Sequence, residues 1–173
     1  MHVLQYIAVQ ADNDDLAMRT VEDTLNSELG SDEYASNAWF DWFVIGGGRF
    51  VEGDPYKSSP NYIISYDKDP QGYRDMIDRM MSNRKVEFSG YRKDVDLDKL
   101  THTLDNYDPS NHDMFALSNV YAVKKCMDML MGTWDFNSYF YDMHNASTNT
   151  KWMYEGIDKG NKNWYIVPVD FHF

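Results

Sequence analysis

The run "HVLQYIAVQ", residues 2 to 10, constrains the fold more than any other stretch. It is apolar on both faces when read as a strand, so it belongs in the middle of a sheet with cover on each side. The rest of the chain must supply the flanking strands and the covering helices. "DNDD" starts a helix, with acids suited to its positive end, and Met18, Val21, Leu25 and Leu29 recur at helical spacing before Gly30. A strand is expected over 39 to 45. It places Trp39, Asp41, Phe43 and Ile45 on one face and Phe40, Trp42 and Val44 on the other. "NYIISY" reads as a short strand. A helix then opens with Asp69 as cap and Pro70 in its first turn, carrying the stripe Tyr73, Met76, Ile77, Met80 and Met81.

Farther on, "KVEFSGY" reads as a strand and "DLDKLTHTL" as a short helix. A helix over about 112 to 131 is expected from Ala116, Val120, Val123, Met127 and Leu130, with Gly132 as its stop. Strands over about 136 to 143, 151 to 155 and 163 to 172 complete the pattern, the last two joined by "IDKGNKN" as a hairpin. This order predicts one α+β domain over residues 1–173, with a largely antiparallel sheet, helices on one face and a ferredoxin-like core with additions. The Trp-rich strand is expected beside the first or the last strand.

Charge narrows the partners. The net charge is -12, from 28 acidic and 16 basic residues, so the chain repels nucleic acid duplexes and anionic lipid at long range. Residues 1 to 33 hold Asp12, Asp14, Asp15, Glu22, Asp23, Glu28, Asp32 and Glu33 against the single base Arg19. The single cysteine, Cys126, excludes an intramolecular disulfide and a multi-cysteine zinc site; it is expected in the core of its helix. No stretch has the length or apolarity of a signal peptide or a membrane span, and a reducing cytoplasm is the expected compartment.

The stretch "WFDWFVIGGGRF" raises the question of phosphate binding. A phosphate loop needs a helix after its glycines. Here Arg49-Phe50-Val51 follow Gly46-Gly47-Gly48, then Gly53 and Pro55, and no helix starts. The run is therefore expected to be a structural turn or bulge, where glycine permits backbone angles closed to other residues. Residues 39 to 47 carry the pattern Trp-x-Asp-Trp-aromatic-x-Ile-Gly-Gly, which resembles a motif in small proteins of tailed bacteriophages; a third glycine extends it here. The resemblance spans about a dozen residues. It implies a phage origin and no particular activity.

Asp142-Met143-His144 and Asp170-Phe171-His172 each place a carboxylate and an imidazole on one face of a strand, so neighbouring strands would bring four metal ligands together. The expectation is solvated strand ends, with no metal, no cofactor and no catalytic set. "NRKVEFSGYRK" sets Arg84, Lys85, Arg92 and Lys93 around Phe88 and Tyr91, a weak pattern for single-stranded nucleic acid.

Three functional classes follow. The first is a non-catalytic inhibitor or modulator that meets a basic host protein, for host takeover or anti-defence. Its acidic surface, Asp12, Asp14, Asp15, Glu22, Asp23, Asp32 and Glu33, would imitate nucleic acid. The second is a nucleotide or nucleoside binder or enzyme using Trp39, Asp41, Trp42 and Arg49. The third is a virion or assembly component.

Overall fold

The computed structural model describes residues 2–29, 40–48, 63–108, 110, 117–131 and 139–172. These fall into two compact units, Met1–Met80 with Asn137–Phe173, and Met81–Phe136. The elements in chain order are β1 (His2–Gln10), α1 (Asp14–Leu29), β2 (Trp42–Ile45), β3 (Ile64–Ser65), α2 (Pro70–Lys93), α3 (Leu97–Asp105), α4 (Leu117–Met131), β4 (Tyr139–Asp142), α5 (Lys151–Asp158) and β5 (Trp164–His172). The architecture is α+β with a five-stranded, mostly antiparallel sheet. Among the described residues no helix is long and apolar enough to cross a membrane.

The sheet runs β2-β5-β1-β4, with β3 also on β5. β1 is interior, as its two apolar faces require: it pairs antiparallel with β5 over its whole length and parallel with β4. β5 is buried on both faces from Trp164 to Phe171. Its outer edge is shared. β2 takes residues 169 to 172, and β3 takes 165 and 166. Pro168 lies in the gap between them, where the missing N–H leaves no ladder bond broken. Its carbonyl still accepts from the Gly46 amide at 2.8 Å, so the glycine run begins where β2 leaves the strand.

One sheet face carries Ile7, Val9, Tyr165, Val167, Val169 and Phe171, packed with Ala17, Val21 and Leu25 of α1. Asn13 caps α1, its side-chain oxygen accepting from the Leu16 amide at 2.9 Å. The opposite face carries Trp164, whose indole a β-carbon on Gly156 of α5 would meet at 3.4 Å, an ordinary contact. Helices thus cover both faces of the sheet, where a single face was expected. In β2, Phe43 and Ile45 turn inward while Trp42 and Val44 stay open. Phe40 was expected on the Trp42 side. It precedes the strand, escapes its alternation, and packs edge-on against Phe171 at 4.8 Å.

Three local expectations are corrected. "KVEFSGY" is not a strand: α2 continues through it to Lys93. Met81 and Phe88 extend the helical stripe there, and Gly90 sits exposed, where it costs about 1 kcal/mol relative to alanine without breaking the helix. Residues 151 to 155 are not a strand but the start of α5. Met153 and Ile157, four apart, are its buried positions. "IDKGNKN" is then a helix stop. Gly160 has φ 96° and donates to the Ile157 carbonyl, while Asn161 donates to that of Gly156, the paired bonds of a left-handed glycine cap.

In the second unit the buried side of α4 is Asn119, Ala122 and Cys126, not the expected stripe; Met127 and Leu130 are half or more exposed. Asn119 sets this side. Its amide oxygen accepts from the Asp96 amide at 2.8 Å and its amide nitrogen donates to the Asp96 carbonyl at 2.8 Å. Asp96 also caps α3 through the Lys99 amide. Cys126 is buried and unpaired, in keeping with its expected place in the core.

Tyr73 is fully buried at the start of α2, its hydroxyl 3.1 Å from the Met153 sulfur. Burial, reinforced by the neighbouring Tyr154, pushes its phenol well above 10.0. An unfolded tyrosine ionises near 10.0, so above that pH the unfolded chain releases a proton that the folded chain keeps. Stability therefore falls as pH rises through this range. Urea unfolding between about pH 9 and pH 11 should show a smaller loss for Tyr73→Phe than for the natural chain. Parallel losses would contradict the assignment.

Candidate functional site

The first unit gathers two sets of candidate functional side chains. The first lies where the ends of β1, β2 and β5 meet. Asp170 is 1% exposed and stands in register with Leu4, and its Oδ1 lies 2.9 Å from Nδ1 of His2. Across the β1–β5 pair, His2 is opposite His172, with ring centroids 5.0 Å apart. Trp42, opposite His172 on the other side, stacks on that imidazole at 4.9 Å with planes 9° apart, and His2 meets the indole edge-on at 5.2 Å. His172 Nδ1 is 3.3 Å from the exposed Asp41 carboxylate, an electrostatic contact without hydrogen-bond alignment.

The glycine run closes over this cluster. Gly46, Gly47 and Gly48 all have positive φ, at 86°, 90° and 48°. A β-carbon on Gly48 would stand 2.6 Å from Asp170 Oδ2. The turn thus wraps a carboxylate of its own chain, and the place a phosphate would take adjoins a negative charge. This fits the structural turn expected from the sequence.

The two Asp-x-His pairs do not converge. β1 lies between β4 and β5, and Asp142 pairs with Ala8 while Asp170 pairs with Leu4. Asp142 is buried and accepts from the Asn145 amide at 3.0 Å and from the Asn145 side chain at 2.7 Å. Burial pushes its carboxyl above the ordinary 3.8, against the pull of those bonds. His144 has turned away, its ring edge-on to Trp164 at 5.9 Å. Among the described residues no group of three or more His, Cys, Asp or Glu is arranged to hold a metal ion.

The second set is the outer face of α1. With Ala17, Val21 and Leu25 buried and Met18 half-buried, Asp15, Glu22 and Asp23 are exposed, and Asp12 is exposed just before the helix. None of these four makes an ion pair among the described residues. Asp14 does: Lys68 Nζ reaches its two oxygens at 2.7 and 2.9 Å, and that hydrogen bond holds the lysine above its ordinary value. Both partners are solvated, so the pair stabilises little.

Asp32, Glu33, Trp39 and Arg49 lie outside the described residues. The His2–Asp170 pair is the part-buried polar contact that sequence reading missed. Its signal is Asp170, the lone charged residue in the otherwise apolar strand "WYIVPVDF"; naming its partner requires the register of the first and last strands.

Glycine substitutions separate conformational strain from close approach. Gly46→Ala meets nothing within 4 Å and should cost about 1 kcal/mol for its left-handed backbone. Gly48→Ala must also displace the buried Asp170 carboxylate from His2, and should cost about 2 kcal/mol more. Equal losses in denaturant unfolding would show that Gly48 does not press on Asp170.

No protein-family model, no curated protein and no solved structure matches the chain.

Proposed function

We propose that this chain is a non-catalytic modulator of the tailed-phage type, which binds a basic surface of a host protein through the acidic face of α1. The observation that carries this reading is the exposed row Asp15, Glu22 and Asp23, with Asp12 just before it and Arg19 the one base among them, on a helix whose other side is fixed in the core. Such rigidity favours docking, because the backbone of the face then needs no ordering on binding. Asp15 and Glu22 stand two turns apart, about 10 Å along the helix. That is close to the axial rise of three phosphates on one strand of duplex DNA, about 10 Å. The face accordingly suits a cleft built for nucleic acid. Asp32 and Glu33 follow the helix in sequence and add to the same charge. Crowded carboxylates repel one another, and a basic partner relieves that repulsion.

Binding of this kind is fast and salt-dependent. Reversing Asp15 and Glu22 to lysine leaves the buried stripe intact and should weaken association with a host partner by about 1 kcal/mol or more. The comparison uses a partner recovered from host lysate, with affinity measured for both chains at low and at physiological salt. Equal affinities at low salt would overturn the reading.

A second reading, a nucleoside-binding site, is favoured by one observation. Trp42 is 41% exposed although one side of its ring is stacked on His172, and the Asp41 carboxylate beside it is open. Nucleosides titrated against the natural chain and Trp42→Ala decide it: saturable binding lost in the variant supports this reading, and no binding to the natural chain removes it.

A further inference from the structure

The second unit carries a groove that neither reading uses. Met81, Arg84, Lys85, Phe88 and Ser89 of α2 line it with Met129 and Leu130 of α4, around a space of about 500 Å³. The α2 residues recur at three and four, so they form one helix face. The groove lies where the packed side of α4 runs out. Asn119, Ala122 and Cys126 are buried, Met129 is next in that series and partly buried, and Leu130 is 72% exposed. Leaving this much apolar surface in water is unfavourable unless something covers it.

Charge identifies what covers it. Residues 81 to 93 hold Arg84, Lys85, Arg92 and Lys93 against Glu87, a basic stretch in a chain of net charge -12. We propose that the groove binds an acidic amphipathic helix of a partner protein. Its apolar side chains fill the space between Met81, Phe88, Met129 and Leu130, and its carboxylates meet Lys85 and Arg92. Methionine-lined grooves suit this mode, since the flexible thioethers repack around an inserted side chain. A single strand of nucleic acid fits less well, because it needs open aromatic platforms. Phe88 is the one ring in the groove's lining, and beside it Tyr91 packs edge-on to Tyr121 at 6.1 Å. A second copy cannot offer α1, whose apolar side is buried in its own core.

The test uses the full chain labelled at its methionine methyl groups, with nuclear magnetic resonance following Met81 and Met129. The probe is a synthetic helix of about four turns with leucines at i, i+3, i+4 and i+7 and glutamates on the flanks. Its control has lysine in place of every glutamate. The acidic peptide should shift both methyls saturably and bind at least about tenfold tighter than the basic one. Lys85→Glu should reduce that preference at least about fivefold, and Leu130→Gln should weaken both peptides. Both positions are exposed, so neither change removes a buried contact. The proposal fails if the methyls show no saturable shift, or if both peptides bind equally. It fails equally if a thymidine oligonucleotide shifts these methyls and the acidic peptide does not, or if protein concentration alone shifts them.

Discussion

Burying β5 on both faces is the constraint on which the first unit depends. A strand with no solvent face must be flanked on each edge and covered on each side, and β1, β2, β3, α1 and α5 fill those places. Asp170 makes the requirement stricter. A carboxylate in such a strand is costly unless paired and hydrogen-bonded. His2 meets it at 2.9 Å, which fixes the register of the first strand against the last, and Gly48 is the residue small enough to close over its other oxygen. Pro168, two residues earlier, places the gap between β2 and β3 and so the point where the glycine run departs.

Each unit carries a charged surface of its own. In the first, the packing of Ala17, Val21 and Leu25 turns the carboxylates of α1 outward. In the second, the basic end of α2 borders an apolar groove. Exposed charge thus sits on helices, while the His2–Asp170 pair ties the first strand to the last.

Much of the fold was legible in the sequence. β1, α1, β2, the start of α2 and β5 follow from apolar periodicity and cap residues, since each is held by contacts that periodicity records. The misreadings have physical causes. "KVEFSGY" and "KWMYE" are rich in residues that favour strands, yet the first continues a helix already fixed by the buried Tyr73, Met76, Ile77 and Met80, and the second opens a helix that buries Met153 and Ile157 four apart. Gly160 serves a hairpin or a helix stop equally well in sequence, and only the helix before it selects the second. The buried side of α4 does not follow its large apolar residues, because the polar Asn119 and the small Ala122 and Cys126 make the contact. Of the candidate site, the outward acids of α1 were legible from their spacing. The His2–Asp170 pair was not, since 168 residues separate its partners.

The account rests on β5 and its pairing with β1 as the last structure to open. Native-state hydrogen exchange over increasing denaturant measures this directly. Amides of Ile7, Val167 and Val169 should exchange only through global unfolding, while those of α3 and α4, with few buried side chains beneath them, should exchange through a smaller and less costly opening. Exchange of the β5 amides at lower denaturant than those of α4 would contradict the account.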